Sequence, residues 1–189
     1  MFSKHPYKLL SFILPAVCLL VIACSSEEIE PLSDEQQRLS KIEQSEARFY
    51  DIIENNPNSP EYKPVARVLA EEYRMFADRH ESHEKAAEMM FRAANIKADV
   101  LGEYGVAVGL FRQINRRWPD TEQAERSLFL AGYTYNHVMG QHEQAEQVYQ
   151  EFLATYPESE LRQAVQDELQ YMGTDFDELL RNFEPDEEL

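Results

Sequence analysis

With 189 residues the chain is long enough for one folded body with a core, or for a short repeat array, and too short for two ordinary enzyme domains. Its 35 acidic side chains against 18 basic ones give a formal net charge of −17. This excludes a nucleic-acid ligand, because neutralising phosphates needs a stripe of cations that the composition does not supply. Such acidity suits solubility or a saline habitat, and it equally suits the steering of a basic partner; composition leaves both readings open.

Residues 1–23 carry Lys4 and Lys8 and no acid. The apolar run 9–23 is fifteen residues long with Pro15 inside it, short of the ~20 residues a spanning helix needs. A basic start, an apolar middle and small residues at the end predict a cleaved signal peptide. It ends in VIAC (21–24), which resembles the bacterial lipobox: an aliphatic residue three before the cut, a small residue before it, and a cysteine after it. The resemblance implies cleavage after Ala23, diacylglycerol on the Cys24 sulfur and acylation of the new amino terminus. Cys18 would leave with the leader, so Cys24 would have no partner for an internal disulfide. At ~0.8 kcal/mol per buried methylene, two or three acyl chains hold a protein on a membrane where one is marginal. The mature chain would carry 16 basic and 35 acidic side chains, a net −19, leaving the lipid as the expected membrane contact.

Residues 24–32 read as the lipidated cysteine and a polar tether interrupted by Pro31. The following SDEQ (33–36) has capping-box spacing, with Ser33 capping and Gln36 reaching back. It opens a helix to about Asn55 within an N-terminal segment 33–60. Leu39, Ile42, Phe49 and Ile53 line one face at 3.6 residues per turn, with Glu46 the polar member of the row. The prolines of NNPNSP (55–60) stop it.

From residue 61 to 172 the chain repeats with a period of 38. Tyr73, Phe111 and Tyr149 fall in register, as do Phe76, Ile114 and Phe152, then His80, Trp118 and Tyr156, then Gly102 and Gly140. The loop WPDT (118–121) lies over YPES (156–159), with HESH (80–83) a worn version. A period of this size predicts helical hairpins that bury their apolar faces only by stacking. The expected helices cover about 61–79, 83–101, 104–117, 121–139, 141–155 and 159–171. Gly102 and Gly140 stand where a helix closes left-handed, Pro119 and Pro157 end second helices, and Asp/Thr or Glu/Ser after them can cap the next. Residues 173–189 are expected to form a C-terminal capping helix and acidic tail. No segment alternates with period two over a strand's length, so the fold class is all-α. Trp118 fits either the core or a lid over a loop.

In 128–157 the pattern resembles a tetratricopeptide repeat. Leu128, Ala131, Gly132 and Tyr135 match the family's positions on the first helix; Ala145, Tyr149 and Pro157 match those on the second. Met90, Ala93, Ala94, Ala107, Phe111 and Pro119 give a weaker match, with Lys97 replacing the tyrosine, and Leu169 begins a truncated third copy. The resemblance implies a right-handed superhelix of stacked antiparallel helix hairpins, a TPR-like α-solenoid. The aromatic-Pro-Asp/Glu-Ser/Thr ending is similar to repeats of bacterial envelope lipoproteins, including outer-membrane assembly lipoproteins. Gly132 and Ala145 are expected to let two helices approach closely, so that a side chain at 132 overpacks the crossing.

Chemistry is sparse. HESHE (80–84) departs from the zinc-protease pattern, whose histidines are four apart on one helix, and it falls in an inter-helix loop. His137 and His142 straddle Gly140. No Gly-x-Ser-x-Gly elbow occurs, and six glycines draw no phosphate cradle. No catalytic residue, metal site or cofactor is assigned, and a metal-dependent hydrolase using the histidines is the rival from another class.

The resemblance implies instead a concave groove that takes a protein or peptide partner. Its positions here are Phe91, Arg92, Asn95 and Asp99, then Arg126, Phe129, Tyr133, Asn136 and His137. Phe129 and Tyr133 either face the groove or pack under the helix 33–54. The expected protein is a non-enzymatic, lipid-anchored scaffold or adaptor of a Gram-negative envelope, or a subunit of an outer-membrane assembly or quality-control complex. Ser25 after Cys24 favours the outer membrane, periplasmic side; the run Ser-Ser-Glu-Glu also resembles an export signal of surface lipoproteins.

Overall fold

The structure, a computed structural model, describes residues 31–174. The leader, Cys24, most of the tether and residues 175–189, the expected C-terminal capping helix and acidic tail, lie outside the described residues. The described chain is entirely helical: α1 (Asp34–Asn55), α2 (Tyr62–Arg79), α3 (Ala86–Asn95), α4 (Tyr104–Arg117), α5 (Glu122–Tyr133), α6 (His142–Thr155) and α7 (Arg162–Tyr171). Helices α3 and α5 run on into π-helical turns, Ile96–Val100 and Thr134–Val138, 38 residues apart. Each turn is followed by a left-handed glycine, Gly102 at φ 68° and Gly140 at φ 64°, a conformation that costs glycine no Cβ clash. Each is then closed by the same bond, Glu103 N–H to the Lys97 carbonyl at 2.7 Å and Gln141 N–H to the Tyr135 carbonyl at 2.8 Å.

The helices pack as three hairpins, α1/α2, α3/α4 and α5/α6, with α7 laid on α6. Each second helix also packs on the first helix of the next hairpin, and α3 touches α5, which is the nearest-neighbour packing of an α-solenoid. The first hairpin starts at Ser33, ahead of the stretch that shows the period. Fully buried Phe76, Phe111, Ile114, Tyr149 and Phe152 form the seam, each side chain contributing ~1.5–3 kcal/mol by burial. Alanines at 66, 70, 93, 107, 131 and 145 stand fully buried where backbones approach.

Ser33 caps α1 reciprocally: its hydroxyl accepts from the Gln36 N–H at 3.2 Å, and the Gln36 side chain accepts from the Ser33 N–H at 2.9 Å. Ile42 and Phe49 face inward as expected, but the row ends on Ile52, not on Ile53, which is 39% exposed. The buried set steps by seven and then three, so Ile52 rather than Ile53 closes the stripe of α1, which packs on α2. Glu46, the polar member, accepts from the Tyr73 hydroxyl at 2.5 Å and from Arg92 at 3.4 Å, tying α1 to α2 and α3.

Thr121 caps α5, its hydroxyl accepting from the Ala124 N–H at 3.2 Å. The equivalent Ser159 does not cap α7, which begins later at Arg162. Its hydroxyl instead donates to Glu125 at 2.5 Å and accepts from the Leu161 N–H at 2.9 Å. HESHE forms the α2–α3 loop. There the rings of His80 and His83 lie 5.0 Å from Phe76, their nitrogens near Asp34 and Glu35 of α1.

Trp118 is a lid. Its indole N–H donates to the Glu81 carbonyl at 2.8 Å; one period on, the Tyr156 hydroxyl donates to the Pro119 carbonyl at 3.2 Å. Positions 81 and 119 share a register, so one hydrogen bond staples each loop to the next. Arg117, 4.4 Å over the Trp118 ring, adds bonds to Asp78 at 2.7 Å and Glu81 at 3.0 Å. Trp118→Phe keeps an aromatic ring and loses the donor. It is expected to cost about 1 kcal/mol, read as a fall of about 2–4 °C in the thermal midpoint.

Candidate partner-binding face

Helix α5 is apolar on two sides. Ala124, Leu128, Ala131 and Gly132 face the core, while Phe129 and Tyr133 fall one turn apart on the adjoining face. Phe129 is half-buried and Tyr133 is 42% exposed, their rings 6.4 Å apart. Phe129 also lies 6.3 Å from the ring of Tyr149. Helix α1 engages α2 and α3, not this pair, so it leaves Phe129 and Tyr133 uncovered.

A cleft of about 610 Å³ opens beside them, between α5 and the α6–α7 loop. Phe129, Leu130 and Leu161 give its apolar floor, and Glu122, Glu125, Glu158 and Glu160 its rim. Arg126 also lines it, but its guanidinium lies 5.0 Å over the Phe91 ring and 3.3 Å from Glu122. Leu130, Leu161 and the 158–160 loop were not singled out from the sequence. The signal was there: YPES repeats WPDT, so this loop had to border the face of the preceding first helix.

The other candidate positions do other work. Phe91 is buried against Phe111 at 6.0 Å. Arg92 pairs with Glu88 at 2.5 Å and with Glu46 of α1, over the Tyr73 ring. Asn95 is half-buried and Asp99 exposed, away from the cleft. Asn136 is buried. Its amide donates to Glu168 of α7 at 3.0 Å and its oxygen meets His142 Nδ1 at 2.7 Å. His137 packs on Tyr133 at 4.5 Å and places Nε2 2.6 Å from the same Glu168 oxygen. The Tyr149 hydroxyl donates to that oxygen too, at 3.2 Å. Burial first, then the Glu168 charge, pushes this phenol up, so it stays a proton donor. Of the candidate residues, Arg126 and Phe129 line the cleft with Tyr133 next to them, Phe91, Arg92, Asn136 and His137 hold helices together, and Asn95 and Asp99 do neither.

No curated protein and no solved structure matches the chain. The family model for the tetratricopeptide repeat matches residues 126–159, from Arg126 through the α6–α7 loop that walls the cleft. With that repeat in a stack of hairpins that contains no strand among the described residues, the fold is a TPR-like α-solenoid, an architecture of protein-binding modules.

Proposed function

We propose that this protein is a lipid-anchored, non-enzymatic scaffold that holds a segment of another protein against α5 and the α6–α7 loop. One observation carries the reading: the stretch that matches a protein-binding repeat also holds half-buried Phe129, which lines a cleft of about 610 Å³, next to the exposed Tyr133. Tyrosine and arginine are among the residues most enriched where interfaces are anchored. The envelope address is supported by VIAC at 21–24, with lipid on Cys24 and the outer membrane, periplasmic side, as the proposed place.

Photo-crosslinking residues placed in cells at positions 126, 129 and 133, followed by mass spectrometry, are expected to capture one dominant protein. The same residue at exposed Glu143 on α6 is expected to capture none. Cys24→Ser is expected to abolish fatty-acid labelling and move the chain out of the membrane fraction. Capture with no labelling would keep the scaffold and remove the anchor; no capture at any of the three positions would remove the scaffold. A stoichiometric β-barrel protein in the mild-detergent eluate would make the protein a subunit of an outer-membrane assembly complex rather than a free adaptor. Digestion by protease added to intact cells would place it on the cell surface.

A further inference from the structure

Phe91 on α3 and Phe129 on α5 hold the same register position, but the residue set against each from one hairpin further on does not repeat. Between α3 and α5, the Arg126 guanidinium lies 5.0 Å over the Phe91 ring, and Phe91, also packed on Phe111, is 8% exposed. Phe129 repeats Phe91 one period later, but the residue that repeats Arg126 is Ala164, whose methyl offers neither length nor charge. Phe129 therefore stays half-open in the floor of the cleft, beside Leu130 and Leu161.

The rim carries four carboxylates, Glu122, Glu125, Glu158 and Glu160, against the single guanidinium of Arg126, which Phe91 and Glu122 already engage. The Ser159 hydroxyl, donating at 2.5 Å, holds Glu125 in place. An open aromatic face ringed by carboxylates selects an arginine: the guanidinium stacks on the ring while its planar fork of N–H donors meets the acids. An acidic segment would be repelled from the same place.

We propose that this cleft takes an arginine side chain from an apolar segment of the partner protein, seated on Phe129 as Arg126 is seated on Phe91. The inference rests on the scaffold reading and names the chemistry of its partner. Apolar neighbours of that arginine fill the floor at Leu130 and Leu161, and the four glutamates set orientation and salt dependence.

The test is fluorescence polarisation of the full chain in nonionic detergent with an end-capped, fluorescein-labelled peptide of alternating arginine and leucine. Its counterpart carries citrulline, which has the same shape and no charge, at each arginine. The arginine peptide is expected to bind at least about tenfold more tightly. Ala164→Arg, which supplies the missing roof from within, and Phe129→Leu, which removes the ring, are each expected to weaken it about tenfold. The control pair Glu143→Gln and Glu146→Gln, exposed on α6, is expected to change it less than about twofold. Should Ala164→Arg lose its helical circular dichroism, Phe129→Leu and the pair Glu158→Gln and Glu160→Gln decide the matter. Equal binding of the citrulline peptide, equal loss in the control pair, or unweakened binding by a folded Phe129→Leu overturns the proposal. A protein crosslinked from position 133 in cells, together with no binding of the arginine peptide, would leave the scaffold standing without its arginine. No crosslink at all would take the scaffold with it.

Discussion

Replacing Gly132 with alanine is expected to lower the unfolding free energy by about 1–3 kcal/mol, although alanine is the better helix former by ~1 kcal/mol. A Cβ at this position would lie 2.4 Å from Cε1, 2.6 Å from Cδ1 and 3.0 Å from Cζ of Tyr149. That ring has nowhere to go, being fully buried, flanked by Phe129 and held by its hydroxyl on Glu168. Either α5 and α6 separate or the ring abandons its bond. Gly105 and Gly109 on α4 supply the control, because a Cβ at either would meet nothing within 4 Å. The same substitution there should raise stability by up to ~1 kcal/mol each. Thermal or urea unfolding followed by circular dichroism measures all three. Adding Tyr149→Leu to Gly132→Ala should recover part of the loss, giving a coupling of about 0.5–3 kcal/mol. A Gly132→Ala protein as stable as wild type would mean that the crossing is looser than the geometry requires.

Removing both acid partners of Lys97 is expected to cost more than removing Lys97 itself. The Lys97 side chain is 7% exposed within the first π-helical turn, and its ammonium lies 3.0 Å from Glu71 and 3.1 Å from Glu103. Glu71→Gln with Glu103→Gln leaves that ammonium buried against neutral amides. We expect a loss of about 2–3 kcal/mol, below the ~3–5 kcal/mol of an enclosed pair, because the 40% exposed Glu71 lets water in. Lys97→Met takes the charge away and should cost under about 1 kcal/mol, since the two carboxylates keep Arg74 and Arg67.

The same cluster predicts an acid limb. Burial pushes the Glu71 carboxyl up, but hydrogen bonds from Lys97 and Arg74 outweigh it and hold the group below its ordinary value. Hydrogen bonds from Arg67 and then Lys97 hold Glu103 down as well. A carboxylate whose folded pKa is depressed stabilises fully above its unfolded value, here the ordinary 4.5, and loses that contribution as pH falls through the lower folded value. The urea midpoint measured from pH 7 downward should therefore hold until about pH 4.5 and then fall, and fall less in Lys97→Met. A Lys97→Met profile parallel to wild type in acid would show that the arginines alone hold the carboxylates.

The hairpins were legible because their signals are local. Gly102 and Gly140 could close helices in a left-handed conformation that few other residues adopt, and the 38-residue register put Tyr73, Phe111 and Tyr149 into one seam before any contact was known. The end of the α1 stripe was not legible, since Ile52 and Ile53 both border it and the choice belongs to α2, the helix that α1 packs on. At the candidate site, the aromatic pair on α5 could be read from spacing, and the roles of its neighbours could not. Arg126 and Asn136 look alike as polar positions of the same face. One roofs a ring 35 residues upstream, and the other is drawn inside by Glu168, 32 residues downstream. Periodicity says which residues share a surface, and it is silent on which long-range partner consumes each one.

Helix α7 fully buries a single side chain, Val165, whereas every other helix buries several. In a stack held only by neighbour contacts, a helix that buries so little opens first, and the loop before it is one wall of the cleft. A guest bound there would bridge α5 to the loop that leads into α7 and act as a clasp, so occupancy would slow amide exchange in α7 while leaving α1 untouched.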